Sequence, residues 1–285
     1  MQKTIGIIGN GFVGNAVAKG FADHLDVFIY DLDEDKSTHT MIKTLRCDYV
    51  FVCLPTPMIS SDGGKCNLSI LDNFFKEASL IETKATFIIK STVPVGTTDR
   101  LCRLYPHMNI VHNPEFLTAA NAERDFINAD RHVVGGDSKL AFDVGTLYGT
   151  HFPHIPVYTM RSNESECVKY FANCFLASKV MVFNEMRMLC DNLSDVDYDR
   201  VMEGVCSDER IGSSHTSVPG PDGDYGFGGT CFPKDINSLI NIMLEHGVDP
   251  IVLKSVWEQN KNYRKTWDWS DNQSAVLKES ETYQG

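Results

Sequence analysis

Two groups of residues in this chain of 285 have side chains able to make and break bonds. The first is the run Gly226-Phe227-Gly228-Gly229-Thr230-Cys231-Phe232-Pro233-Lys234-Asp235. It sets one cysteine behind a glycine turn, with Lys234 and Asp235 just beyond. The thiolate is the nucleophile, and a thiol with the ordinary pKa of roughly 8.5 needs a cation or a helix N-terminus beside it to ionise at neutral pH. Lys234 and the helix expected to follow can supply both. Glycine lets such a turn take positive φ and lets a ligand come close to the backbone. A glycine turn capping a helix, with Cys231 a buried structural thiol, is the competing reading. The second group is dispersed. Lys169 and Asn173 share a face of an expected long helix. A lysine and a carboxamide converging on a hydroxyl stabilise a developing alkoxide, although each also suits a solvated helix surface. Glu115, after Pro114 on a loop, can act as a general base. Asp235 can hold a water or an ammonium near Cys231, and Thr92 can orient a water; helix capping would explain either equally well.

These groups need elements to position them. Thr4–Ile8 is an apolar run, followed by Gly9-Asn10-Gly11-Phe12-Val13-Gly14, a helical pattern over Asn15–Phe21, and the run Val27–Tyr30 ending in Asp31. Strand, glycine-rich turn, helix, strand and acid in that order form a dinucleotide-binding signature. Gly9 makes the tight turn, Gly11 admits a pyrophosphate to the helix N-terminus, and Gly14 permits close helix packing. Asp31 can accept from ribose hydroxyls. The next residues are Leu32, Asp33 and Glu34 rather than a cation, so a 2′-phosphate would be repelled and the cofactor reads as NAD. A doubly wound domain without a ligand is the alternative.

Further strands are expected at Tyr49–Leu54, Thr86–Lys90, Asn109–Val111, His132–Gly136 and Val157–Tyr158, with helices at Met41–Leu45, Leu68–Ile81 and Asp99–Tyr105. Strands alternating with helices predict an α/β fold with a doubly wound, parallel, Rossmann-type sheet. Ligands of such sheets sit beyond the carboxyl ends of the strands, so the loops after Leu54, Lys90 and Val111 face the cofactor. After Ser162 the pattern becomes all-helical. A long helix is expected over Ser165–Leu193, then shorter ones at Val196–Val205, Asp235–Glu245 and Pro250–Tyr263. The domains read as 1–160 and 161–270, with a polar, frayed tail over 271–285. Trp257, Trp267 and Trp269 are expected to pack on the helical domain or on a twin subunit.

Composition excludes several classes. The net charge of -12 disfavours a nucleic-acid or anionic membrane surface. The chain enters a strand at once, leaving no room for a signal peptide, and no apolar run reaches membrane-spanning length. Nine cysteines, with no CxxC and no zinc-like spacing, fit reduced thiols in the cytoplasm and no metal site.

Several runs together resemble a known family. They are the glycine–cysteine run, Lys90-Ser-Thr-Val-Pro-Val-Gly-Thr-Thr98, Asn113-Pro-Glu-Phe-Leu117, Asp130-Arg131, Lys169-Tyr-Phe-Ala-Asn173, Phe183-Asn-Glu185 and Asp208-Glu-Arg-Ile-Gly212. They appear in the order found in the nucleotide-sugar 6-dehydrogenases, the family of UDP-glucose and GDP-mannose dehydrogenases, over residues 4 to about 265. The resemblance implies two successive NAD-dependent oxidations of a sugar C6 alcohol to a carboxylate, UDP-glucose being the first-choice substrate. Cys231 would attack the C6 aldehyde, and a second oxidation would give a thioester that water hydrolyses. Lys169 and Asn173 would stabilise the oxyanions, Glu115 would assist proton transfer, and Thr92 and Asp235 would position water. Phe12, Val13, Pro55, Thr56, Ser91, Thr92 and Lys234 would join Gly9, Gly11, Gly14 and Asp31 around NAD. Phe116, Leu117, Gly228 and Arg210 would contact the sugar nucleotide, Arg210 across a subunit boundary, and the long helix would build a homodimer.

Three departures accompany the resemblance. Ala119 replaces a family glutamate. Residues 221–225 lengthen the approach to Gly226. The chain is too short for the family's C-terminal nucleotide-binding domain, so it reads as a short form. Two other readings stay open: a two-electron hydroxyacid-type dehydrogenase with a dispensable Cys231, and a silent NAD-binding partner of a full-length enzyme.

Overall fold

The computed structural model describes residues 2–277. They divide into two compact units, one of residues 1–56 and 67–169, the other of residues 57–66 and 170–285.

The first unit is a seven-stranded sheet: β1 (Thr4–Ile8), β2 (Asp26–Tyr30), β3 (Tyr49–Val52), β4 (Thr86–Ile89), β5 (Asn109–His112), β6 (His132–Gly135) and β7 (Val157–Met160), in the order β2-β1-β3-β4-β5-β6-β7. All seven expected strands form. Their residues alternate between two apolar faces, as a sheet covered on both sides requires. Ile5, Ile7, Phe51, Ile88 and Val111 point to one core, and Ile8, Val50, Val52, Phe87 and Ile89 to the other. Helices α1 (Phe12–Ala22), α5 (Ala122–Ile127) and α6 (Ser138–His151) supply Phe21, Phe126 and Tyr148 to the first core. Helices α3 (Ser69–Ala78) and α4 (Thr97–Leu104) supply Phe75 and Leu101 to the second, while the short α2 (Met41–Thr44) lies on β1. A Cβ at Gly6 would meet Thr44 O at 2.5 Å. Each fully buried Phe or Leu contributes about 1.5–3 kcal/mol relative to exposure. The pattern had not indicated α5 or α6; α6 has Gly145 and Gly149 in its interior.

One expectation needs correction. The sheet is mixed rather than wholly parallel. β6 meets β5 antiparallel, through the single pair His112↔Gly135, and β7 follows β6 in parallel. The connection after β5 makes no crossover. It places α5 against α1, with Phe126 so close to Gly20 that a Cβ there would stand 2.4 Å from the ring. An antiparallel return needs only such a same-end connection. Asp130, Arg131 and the start of β6 therefore lie at the carboxyl end of β5, on the ligand side of the sheet.

The second unit is helical: α7 (Ser162–Asp191), whose first two turns belong to the first unit, then α8 (Tyr198–Cys206), α9 (Phe232–Glu245) and α10 (Ile251–Tyr263). No helix among the described residues is long and apolar enough to cross a membrane. Residues 57–66, expected as a loop of the first domain, pack with this unit. Trp257 and Trp269 are buried within it and donate to Asp62 O and Ser61 O at 3.0 and 2.9 Å. The start of the tail is anchored rather than frayed: Ala275 and Val276 are buried, and Ala275 O accepts from Met58 N at 2.6 Å. Residues 278–285 of the expected tail lie outside the described residues.

Candidate active site

The glycine turn after β1 has the geometry its spacing suggested. Gly9 has φ +86°, and a Cβ there would meet Cys53 O at 2.7 Å. A Cβ on Gly14 would stand 2.0 Å from Gly9 O, so only glycine lets α1 sit this close to the turn. Gly11 is the N-cap of α1, with nothing within 4 Å of where its Cβ would be. The helix N-terminus thus stays open for an anion. Phe12 and Val13 form the first turn of α1. The order β2-β1-β3 puts the topological switch point beside this turn, where dinucleotides bind. Asp31, just past β2, accepts from Asn10 N and Asp33 N at 2.6 and 2.9 Å and keeps lone pairs for ribose hydroxyls. Asn10 Oδ1 is buried without a protein donor, a further acceptor at the same turn. The residues present fit a dinucleotide. The loops after β3 and β4 are tied together: Ser91 Oγ donates to Leu54 O at 2.6 Å and Thr56 Oγ1 to Thr92 O at 2.7 Å. Pro55 between them is exposed.

A buried ionic cluster lies in the same unit. Lys169 Nζ donates to Glu115 Oε1 at 2.8 Å and to Glu115 O at 2.6 Å, and Leu117 N donates to Glu115 Oε2 at 2.7 Å. Burial works against the Glu115 carboxylate, but the Lys169 ammonium outweighs it and holds its pKa below the usual range. Phe116 lies under both the Arg131 guanidinium, 4.3 Å from its ring centre, and the Lys169 ammonium, at 5.5 Å. Lys90 Nζ donates to Asn113 Oδ1 at 2.9 Å, which also accepts from Tyr148 OH at 2.5 Å. Burial pulls Lys90 down to about 8. A cavity of about 320 Å³ opens among Lys90, Glu115, Phe116, Asp130, Arg131 and His132. The antiparallel β6 makes this arrangement possible. Sequence reasoning named Lys90 and Asn113 only as parts of motifs and passed over Tyr148. A lysine ending an otherwise apolar strand was the available signal. Ala119, expected to stand where the family has a glutamate, opens an exposed 3₁₀ turn over Ala119–Asn121.

Glu166 was also missed. It is fully buried on α7 and accepts from Gly96 N, Thr98 N and Thr98 Oγ1 at 2.6, 2.9 and 2.7 Å. A side chain from another helix therefore caps α4, just after the loop that carries Ser91 and Thr92. Burial raises its pKa to about 7.

The second unit holds the thiol. α9 starts at Phe232, three residues before its expected start, with Pro233 in its first turn and Cys231 at its N-cap. Proline is at home there because its missing N–H would have no helical partner. Cys231 is half-buried. One turn into the helix, Lys234 Nζ donates to Asp235 Oδ1 at 2.5 Å, and Asn173 Nδ2 on α7 donates to Asp235 Oδ2 at 2.6 Å. Burial opposes the Lys234 ammonium, but Asp235 outweighs it and the pKa rises. A thiol at a helix N-terminus beside a fixed cation is in surroundings that favour thiolate. Cys231, Lys234, Asp235 and Asn173 thus form one constellation, and Glu115, Lys169 and Lys90 another, each within its own unit. Arg210 joins neither: its side chain is 89% exposed and pairs with Asp208 at 2.6 Å.

Two family models match this chain. The UDP-glucose/GDP-mannose dehydrogenase NAD binding domain matches residues 35–149, and the central domain of the same family matches residues 163–262. The UDP-glucose 6-dehydrogenase YwqF of Bacillus subtilis (strain 168) is 34% identical over 227 residues, covering 76% of this chain and 49% of that protein. A UDP-glucose 6-dehydrogenase of Rickettsia conorii is 33% identical over 243 residues, covering 81% and 53%. The solved structure of a UDP-glucose dehydrogenase from the hyperthermophilic archaeon Pyrobaculum islandicum superposes with a TM-score of 0.80 at 27% identity, covering 92% of this chain and 68% of that one. The chain spans about half the length of the curated relatives it matches. With an NAD-binding domain followed by the helical domain that carries Cys231, this chain belongs to the UDP-glucose/GDP-mannose dehydrogenase family.

Proposed function

We propose that this chain catalyses the NAD-dependent, four-electron oxidation of a nucleotide sugar at C6, with UDP-glucose to UDP-glucuronate as the first assignment. The observation that carries the reading is Cys231 at the N-cap of α9, backed by the buried Lys234–Asp235 pair and Asn173. A two-electron alcohol oxidation has no use for a nucleophile. A four-electron oxidation does, because an aldehyde carbon must become tetrahedral before it can give up a hydride.

NAD+, which Gly9, Gly11, Gly14 and Asp31 would hold, would supply the hydride acceptor for both oxidations. In the first, Glu115, held ionised by Lys169, takes up the hydroxyl proton directly or through a water. Lys169 and Asn173 donate to the oxygen as it becomes negative. Cys231 thiolate then adds to the aldehyde carbon to form a thiohemiacetal alkoxide, and the second oxidation leaves a thioester on Cys231. Water adds to the thioester carbonyl as Glu115 takes up one of its protons, and the tetrahedral adduct expels thiolate to leave the carboxylic acid, which loses its remaining proton to solvent. Asp235 keeps Lys234 charged near the departing sulfur, and Thr92 orients water. The name carried by the matched relatives supports UDP-glucose as substrate.

Phe171, Phe175, Val182, Met186, Leu189 and Leu193 recur at helical spacing on or just after α7 and are exposed, Phe171 by 61% and Phe175 by 68%. We read this stripe as the face of a homodimer, to be checked by light scattering at micromolar concentration; a monomer would remove it. Nine cysteines suit the reducing cytoplasm, where we place the reaction.

The test is stoichiometric. Limiting UDP-glucose with excess NAD is expected to give two NADH per sugar. Cys231→Ala is expected to stop at the aldehyde level with one NADH at most. One NADH from the unaltered chain, or two from Cys231→Ala, would overturn the thioester route.

A further inference from the structure

The turn presenting Cys231 is held from two directions. One set of contacts comes from the part of the chain that matches the family. Asn184 on α7 accepts from Gly226 N at 2.9 Å; Asn260 on α10 accepts from Phe227 N at 2.7 Å and donates to Phe227 O at 3.0 Å. The second set comes from beyond residue 262, where the central-domain match ends. One Asp268 oxygen accepts from Gly229 N at 2.8 Å, and the other accepts from Arg264 Nη2 at 3.1 Å. A Cβ on Gly228 would stand 2.3 Å from Asp268 Oδ1 and 2.7 Å from Arg264 Nη2. The close approach that makes glycine necessary at 228 is therefore an approach by this chain's own side chains.

Asp268 is itself well anchored. Trp269, next to it, is fully buried, donates to Ser61 O at 2.9 Å, and has the Trp257 and Trp267 rings at 5.3 and 5.6 Å. Further on, Met58 N donates to Ala275 O at 2.6 Å and Leu277 N donates to Met58 O at 2.9 Å. On the other side, Arg264 is buried and also donates to Asp222 at 2.7 Å. Residues 264–277 form a strap fixed on both sides of Asp268. The carboxylate on this strap grips a backbone amide two residues before the thiol. Gly226 and Gly229 both have positive φ, and a turn this rich in glycine has many competing conformations unless its amides are claimed.

We propose that the strap positions the reactive thiol, with Asp268 as the positioning residue that fixes the Gly228–Gly229 turn and so keeps Cys231 at the N-terminus of α9. This rests on the reading of Cys231 as the nucleophile. Asp268 contacts no reacting atom. It acts by denying the turn its alternative conformations.

The test uses the full chain as wild type, Asp268→Ala and Asp268→Asn. The rate of Cys231 alkylation by iodoacetamide is followed against pH, with peptide mass mapping to separate it from the other cysteines. NADH yield per UDP-glucose, NAD affinity and thermal unfolding are measured alongside. In Asp268→Ala the thiol strays from the helix N-terminus, so the midpoint of its alkylation profile moves up. Its rate at neutral pH falls about fivefold to tenfold, the scale of one lost hydrogen bond. Asp268→Asn still offers an oxygen to Gly229 N but gives up the Arg264 contact, and its midpoint stays closer to wild type than that of Asp268→Ala. A merely structural role would lower the unfolding temperature without moving the alkylation midpoint, and that result would overturn the proposal. So would an Asp268→Ala profile that overlays the wild type. Should Asp268→Ala fail to fold, Asp268→Glu replaces it: the acceptor moves by one methylene, and an unchanged midpoint again overturns the proposal. A shifted midpoint together with full four-electron turnover in Cys231→Ala would leave the strap's role standing and remove the nucleophile reading instead.

Discussion

Lys90 and Lys234 are both buried lysines, yet their surroundings drive their charges in opposite directions. Lys90 follows β4 and donates to neutral partners, the Asn113 amide oxygen and, at 3.5 Å, Pro114 O. Burial prevails there, and its pKa falls to about 8. Lys234 lies in the first turn of α9 against a carboxylate at 2.5 Å. Burial is again the largest single influence, but Asp235 outweighs it and the pKa rises. Taking charge out of water is costly in either place; what differs is whether an opposite charge is within bonding distance to offset it. One lysine is a poised, near-neutral titrant, and the other is a fixed cation. In the proposed reaction a fixed cation suits the neighbourhood of a departing thiolate, and a weakly held proton suits the floor of a cavity beside Glu115.

The largest expected effect comes from removing the offset at Lys234. Asp235→Asn leaves a buried ammonium facing a neutral amide, and breaking such a pair costs about 3–5 kcal/mol. Equilibrium unfolding in urea should register that loss. Asn173 also loses a charged acceptor, so the second oxidation should slow more than the first. A stability change below about 1 kcal/mol would mean that some other group carries the Lys234 charge.

The effect at Lys90 is smaller and depends on pH. Its folded-state pKa of about 8 lies below the ordinary lysine value of 10.5. The folded state therefore binds fewer protons between these values, and stability from this group rises with pH across that window. Below pH 8 the penalty is constant, on the order of 3 kcal/mol. Lys90→Met should remove it. The variant should be more stable than wild type at neutral pH, and the difference should close as pH approaches 10.5. A constant difference across the window would show that Lys90 is not held as an unpaired buried cation. Catalytic activity should fall while stability rises, because Lys90 lines the cavity beside Glu115.

The two lysines also show which features a sequence can reveal. The Lys234–Asp235 pair is local: adjacent residues entering a helix after a glycine turn. The dinucleotide turn was legible for the same reason, since positive φ at Gly9 and the tight fit at Gly14 are properties of a short segment. Lys90 was not legible as a titrant, because its burial, its partner Asn113 and the Tyr148 hydroxyl that shares the Asn113 oxygen come from separate parts of the chain. The antiparallel β6 was hidden likewise. Its own residues look like any buried strand; its direction shows only in its pairing with β5, His112 against Gly135. The helical unit's claim on residues 57–66 follows from Trp257 and Trp269 donating to carbonyls roughly two hundred positions earlier in the chain, a pairing that no local pattern encodes.

Arg210 is the smallest case by stability and the sharpest by function. Its guanidinium meets the Asp208 carboxylate through three contacts, yet the side chain is 89% exposed. Exposed ion pairs contribute little, because water competes for both partners and holding two long side chains costs entropy. Arg210→Ala should therefore leave the unfolding midpoint where it is. A guanidinium this open is available to a ligand, and the proposed reading gives it a sugar-nucleotide contact. Under that reading the variant raises KM for UDP-glucose while kcat holds, the signature of binding energy shared equally by ground and transition states. Arg210→Lys should recover only part of the affinity, since an ammonium cannot make the planar two-point contact. If the contact reaches across a dimer, mixing Arg210→Ala with Cys231→Ala chains should restore four-electron turnover at the wild-type KM in half of the sites formed by heterodimers. No restoration would confine Arg210 to its own chain, and an unchanged KM would remove it from the binding set altogether.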